Sequence, residues 1–186
     1  MSDPEDARLL RGAMDGNPED FRGLIEKYQK PLYNFARKFT GSPQDAEDLV
    51  QDTFLKLHGS MASVRESEKL RSWLYAVTAN KARNLLRRAK ILRFIGLEFL
   101  SDRDAPRSVE KHPGGEVEEA EALLLLEKAA RRLPIALRGP ILLKYFQGLP
   151  EEEIAEVFAL NLKVLRVRLS RGRKQLWEAY SRLKNS

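Results

Sequence analysis

GLPEEEIAEVFALNLKVLRVRLSRGRKQL, residues 148–176, reads as two helices joined by a tight turn. Gly148-Leu149-Pro150 opens the first helix, Glu151–Phe158, and Ala155 is small where two helices would cross closely. Ala159-Leu160-Asn161 forms the turn, and Asn161 is a good N-cap for the next helix. That second helix carries Leu162, Leu165, Leu169 and Leu176 on one stripe. Lys163, Arg166, Arg168, Arg171, Arg173 and Lys174 decorate its other sides. This is the pattern of a helix-turn-helix, whose second helix sets its N-terminal residues against base edges in the major groove. Lys163, Val164, Arg166 and Val167 are the candidates for that role. Arg168, Arg171 and Arg173 suit phosphates, which add affinity without sequence information.

A second informative stretch lies near the other end. DAEDLVQDTF, residues 45–54, comes after the stop and restart Gly41-Ser42-Pro43, where Ser42 can cap a new helix. Ala46, Leu49, Val50, Phe54 and Leu57 share one face, and Asp45, Glu47, Asp48, Gln51, Asp52 and Lys56 the other. The residues alone fit an ordinary amphipathic helix or an acidic face for a basic partner helix. After a polar loop, His58–Ser67, a third helix runs from about Glu68 to Arg88 and buries Leu70, Trp73, Leu74 and Val77. Trp73 and Tyr75 are followed by Asn80, Lys81, Arg83, Asn84, Arg87 and Arg88. Asn80, Arg83 and Asn84 recur at helical spacing, so one polar face can meet phosphates and base edges together.

The rest of the chain frames these elements. Asp3–Met14 reads as a short helix capped by Asp3, with Pro4 at its first position. Phe21, Leu24, Ile25, Tyr28, Leu32, Phe35 and Phe39 predict a long helix, with a kink at Pro31. Ser101–Glu119 holds Pro106, Pro113, Gly114, Gly115 and many acidic residues, the composition of a flexible linker. Helical periodicity returns at Glu118–Leu133, Arg138–Phe146, Glu151–Phe158 and Asn161–Leu183. The expected fold is all-α: two small helical domains, 1–95 and 119–186, joined by an acidic linker over 96–118. The apolar run Ile91–Leu100 packs on its own domain or on a partner.

The 186 residues carry a net charge of +6, which favours an anionic partner. The absence of cysteine excludes disulfides, thiolate metal sites and cysteine nucleophiles. Two histidines in unconnected loops, His58 and His112, and no Gly-rich phosphate loop argue against an enzyme, a metal site or a cofactor. No apolar run approaches the roughly 20 residues of a spanning helix, and MSDPEDARLL is unlike a secretory signal, which is compatible with a cytoplasmic protein.

In order and spacing, the acidic helix, the aromatic and basic helix and the helix-turn-helix resemble the extracytoplasmic-function (group 4) class of bacterial sigma-70 family factors. The resemblance implies a sigma factor that binds RNA polymerase core, recognises −10 and −35 promoter elements and aids promoter melting. Asp45, Glu47, Asp48, Leu49, Gln51, Asp52 and Phe54 match the helix that docks on a coiled coil of the polymerase's largest subunit. Trp73, Tyr75, Asn80, Lys81, Arg83, Asn84, Arg87 and Arg88 fall in the −10-reading helix, and the loop Gly59–Ser67 before it corresponds to the pocket for a flipped base. Lys163, Val164, Arg166, Val167, Arg168, Arg171 and Arg173 fall in the −35-reading helix. The flap of the second-largest subunit and an anti-sigma factor, at times membrane-bound at the inner face, are the further partners the resemblance implies. The chain departs from the family pattern at Leu70, where Phe is usual, and at Asn84, where Asp is frequent. It departs again in the glycine-free turn and at Val164, where a Thr hydroxyl is usual, so the −35 sequence read is expected to be unusual. A regulator acting without polymerase is the competing reading, and the acidic helix argues against it, since such a protein has no use for that face. A helical scaffold is weaker still, because two separate basic helices face outward for DNA.

Overall fold

The computed structural model describes residues 3–61, 64, 69–94 and 117–185, and four of its helices begin where short polar side chains cap them. Asp3 accepts the Glu5 N–H ahead of α1 (Pro4–Met14), and Asn17 accepts the Glu19 N–H ahead of α2 (Pro18–Thr40). Ser42 accepts the Asp45 N–H at 3.2 Å ahead of α3 (Pro43–Ser60). All three helices place a proline in the first turn, where its missing N–H costs nothing. The helix α2 stops at Gly41, whose φ of +88° is the left-handed C-cap glycine favours. It runs through Pro31 as one element, so the proline does not divide it.

Several expected boundaries move, among them the start of the helix expected at Arg138, which begins at Ile135. The helix α3 continues through His58 to Ser60 instead of giving way to a loop at His58, and the imidazole meets the ring of Phe21 edge-on at 5.3 Å. The helix α4 spans Leu70–Phe94, six residues past Arg88, because no glycine or proline interrupts the chain before Gly96. The remaining helices are α5 (Val117–Arg132), α6 (Ile135–Tyr145), α7 (Glu151–Phe158) and α8 (Leu162–Lys184). Among the described residues no strand occurs, and no helix is long and apolar enough to cross a membrane. The expected linker lies outside the described residues up to 116, and so does most of the 59–67 loop.

The first lobe, α1–α4, packs around Leu24, Leu32, Phe35, Phe39, Leu57, Leu70 and Leu74, all fully buried. Phe35 meets Phe39 and Tyr75 edge-on at 5.5 Å. Each such side chain contributes about 1.5–3 kcal/mol on leaving water. Between α3 and α4 the buried hydroxyls of Thr53 and Thr78 lie 3.0 Å apart, each also bonded to a carbonyl of its own helix. The second lobe, α5–α8, is built on Ile141, Leu142, Leu143, Ile154 and Leu165. Gly172 lets α8 lie against α6: a Cβ there would fall 2.7 Å from Ile141.

The sequence suggests two domains on a tether; in the structure they share a seam. Phe39 of α2 and Phe158 of α7 close on Gly139 of α6, where a Cβ would meet both rings within 3 Å. Arg138 donates to the Phe39 carbonyl at 2.8 Å and to the Leu133 carbonyl at 3.1 Å, and its guanidinium lies over the Phe39 ring. The Phe39 carbonyl is in the last turn of α2, where intrahelical donors run out. Burial lowers the pKa of Arg138. Lys38 forms an ion pair with Glu127 across the same seam.

In the helix-turn-helix, Asn161 caps α8 by accepting the Val164 N–H at 2.8 Å. The glycine-free turn is made by Ala159 at φ 50°, ψ 50°. A left-handed backbone costs a non-glycine residue about 1–2 kcal/mol, whereas glycine costs about 0.5–1 kcal/mol in unfolded-state entropy. Ala159→Gly is therefore expected to raise the melting temperature by about 1–4 °C. A thermal melt with no rise would show the strain to be relieved elsewhere.

Candidate polymerase and nucleic-acid interfaces

On α3 the buried stripe and the acidic stripe separate. Glu47, Asp48, Gln51 and Asp52 are exposed, with Leu55 exposed beside them. Three residues expected to contact polymerase turn inward instead. Leu49 and Phe54 belong to the lobe's core, and Asp45 is only 5% exposed in the first turn beneath its Ser42 cap. A carboxylate in the first turn complements the helix dipole, which gives Asp45 a structural role. The surface open to a partner is the set 47, 48, 51 and 52. Asp52 also accepts from Lys81 of α4 at 2.6 Å, joining two surfaces that the sequence leaves unconnected.

The expected −10 residues divide between two faces of α4. Asn80, Asn84, Arg87 and Arg88 are exposed and recur at helical spacing, with Lys81 half-buried beside them. Trp73 is half-buried against the lobe's core. Tyr75 and Arg83 turn toward the second lobe. Tyr75 is 2% exposed and its hydroxyl donates to Gln147 at 3.1 Å; burial pushes the phenol up to about 12. Arg83 bonds to Asn80 and lies 5.5 Å over the Phe158 ring; burial, then the nearby Arg87 and Arg168, lowers its pKa. In this arrangement Tyr75 is closed to DNA, and Arg83 is half-buried beside the second lobe.

The same face of α4 holds two residues that sequence reasoning passed over. Arg71 forms a two-pronged ion pair with Glu153 of α7, one prong from Nε at 2.8 Å. Ser72 donates to Glu156 of α7 at 2.9 Å. The Glu153 carboxylate raises the pKa of Arg71. The partners stand 82 and 84 positions apart in the chain, so no local pattern could pair them.

On α8, Leu165, Leu169 and Leu176 are buried, Leu162 is half-buried, and Lys163, Val164, Arg166 and Val167 emerge together at the N-terminal end. Their exposure at the start of the second helix is the presentation that groove reading requires. Arg171 and Arg173 are exposed and Arg168 half-buried. Arg166 donates through Nε to Glu151 at 2.8 Å, and this bond holds the Glu151 carboxyl below its ordinary range. The Glu151 contact parks the side chain against the start of α7. Among the described residues no group of three or more acidic, histidine or cysteine side chains could hold a metal.

Comparison with known proteins agrees with this layout. The Sigma-70 region 2 family matches residues 24–91, and Sigma-70, region 4 matches 123–176. The chain is 30% identical over 180 residues to the RNA polymerase sigma factor NccH of Alcaligenes xylosoxydans xylosoxydans, covering 95% of each. It superposes with a TM-score of 0.70 and 26% identity on CnrH solved with the cytosolic domain of CnrY, over 94% of this chain and 96% of that one. With the sigma factor RpoE of Bartonella quintana, solved with the anti-sigma factor NepR, the TM-score is 0.68 at 27% identity, over 88% and 98%. One matched region coincides with the acidic and basic helices of the first lobe, the other with the helix-turn-helix lobe, and together they make the chain a member of the extracytoplasmic-function class of sigma-70 family RNA polymerase sigma factors.

Proposed function

We propose that the two lobes divide the work of a sigma factor as their exposed residues suggest. Glu47, Asp48, Gln51 and Asp52 of α3 dock on the coiled coil of the polymerase's largest subunit, where charge complementarity sets register and association rate. Asn80, Asn84, Arg87 and Arg88 of α4 approach the −10 element, with Lys81 beside them. Lys163, Val164, Arg166 and Val167 of α8 read the −35 element, with Arg168, Arg171 and Arg173 on phosphates, while the second lobe also meets the flap of the second-largest subunit. The chain performs no chemistry of its own. An anti-sigma factor controls it, as the partners of CnrH and RpoE suggest, and a membrane-bound one would keep it at the inner face of the membrane.

The observation that carries this reading is the exposed polar row 80, 84, 87 and 88 on the helix that comes after the acidic docking helix. Asn80→Ala is expected to slow promoter opening in the holoenzyme by roughly 5–100-fold, about the loss of one or two base-edge contacts, while initial binding through the −35 element stays. Stopped-flow fluorescence of a labelled −10 region separates the two steps. An unchanged opening rate would remove Asn80 from the −10 contacts.

A further inference from the structure

The seam between the lobes places acidic side chains on a face of α4 suited to anions. Arg71 and Ser72 sit in the first turn of α4. A cation there opposes the helix dipole, whereas an anion is favoured by it and by the open N–H groups of the first turn. Arg71 thus gains nothing from its own helix and is placed to hold an anion against it. The carboxylates bonded to these two side chains come from α7: Glu153 on Arg71 and Glu156 on the Ser72 hydroxyl. A two-pronged guanidinium contact takes a carboxylate or a phosphate with the same geometry. Further along the same face Tyr75 is tied to Gln147 and Arg83 to Phe158, so four residues of α4 are occupied by the second lobe.

The polar end of this seam is loosely closed. A cavity of about 310 Å³ opens there between Asp3, Asp6, Lys27, Arg71, Tyr75 and Glu153, with Asp3 and Asp6 already paired to Lys27. The Arg71 side chain remains 43% exposed, so water and salt screen its ion pair. A contact of this kind exchanges readily for another anion. The two lobes also superpose together on CnrH, which was solved with the cytosolic domain of CnrY.

We infer that α7 is an internal stand-in for the DNA backbone: Glu153 and Glu156 occupy the places of two phosphates, and Arg71 and Ser72 are further backbone-binding residues of α4 that open to promoter DNA when the lobes part. The inference rests on the reading of α4 as the −10 helix. It gives the free chain a self-closed state that nucleic acid must displace, anion for anion, before α4 is available.

The test measures binding of a fluorescent pool of random single-stranded 12-mers to the full chain at low salt. Glu153→Gln/Glu156→Gln is expected to bind about tenfold more tightly than wild type, the gain when a competent state rises from about a tenth of the population to nearly all. Adding Arg71→Ala is expected to abolish that gain. Glu121→Gln/Glu178→Gln changes the net charge equally at exposed positions of α5 and α8, and is expected to gain far less. No gain in the first variant, a gain that survives Arg71→Ala, or an equal gain in the charge control each overturns the inference. Asn80→Ala on the same pool separates the two ideas. If it binds as wild type does while the Glu153 and Glu156 effects hold, the stand-in survives and the role of Asn80 falls; if it weakens binding while those effects are missing, the stand-in falls and Asn80 keeps its role.

Discussion

Asp48→Lys is expected to abolish stable association with core polymerase. Asp48 stands exposed at the middle of the α3 acidic row, flanked by Glu47 and one turn from Gln51 and Asp52. The other side of the same turn holds Leu49 and Val50 in the core, so the substitution changes surface charge without touching packing. A lysine facing a basic partner helix brings like charges together, which costs several kcal/mol. Affinity for core should then fall about a hundredfold or more. Fluorescence anisotropy of the labelled chain titrated with core polymerase reads this directly. The stability of the isolated chain should change by less than about 0.5 kcal/mol, as for other surface replacements. Wild-type affinity from the variant would take Asp48 out of the docking surface.

The second large effect concerns Arg166, and it is an effect on discrimination. Its guanidinium stands at the exposed start of α8 and is held by Glu151 of α7 in the absence of DNA. The proposed −35 role requires it to leave Glu151 and turn to the groove, where a two-pronged contact to guanine distinguishes bases by roughly 5–150-fold. Arg166→Ala should lower transcription from the native −35 sequence by that factor and flatten the preference at one base position. Phosphate contacts behave differently: their loss weakens all sequences alike and reduces the salt dependence of binding. A uniform loss across −35 variants would therefore reassign Arg166 to the backbone. Arg171→Ala supplies that comparison within the same helix.

The range of each interaction decides whether the sequence discloses it. The caps at Asp3, Ser42 and Asn161 are legible because each side chain bonds to a backbone N–H two or three residues away. The stripe Leu165, Leu169, Leu176 is legible for the same reason, since periodicity is local. The burial of Tyr75 is not: nothing near position 75 says that Gln147 and α7 will cover it. The same holds for Arg71, whose partner Glu153 belongs to another lobe. Asp45 looks like the other acidic residues of its helix, yet in the first turn it is buried while Glu47 and Asp48 are exposed. Leu49 and Phe54 show the cost of reading a motif as a block: the matching stretch mixes a core face with an exposed acidic face. His58 reads as loop by its neighbours Gly59 and Ser60, yet the ring of Phe21, 37 positions earlier, offers it a packing site and the helix continues.

The assignment of one promoter element to each lobe is tested most directly by transcription. Core polymerase with this chain is given a library in which both promoter elements are randomised, and the 5′ ends of the RNA are sequenced. Wild-type protein should yield start sites that depend on it and share two upstream motifs. Arg166→Ala should alter only the motif farther from the start, and Asn80→Ala only the nearer one. Both variants altering the same motif, or neither motif responding to its expected residue, would contradict the division of the promoter between the lobes.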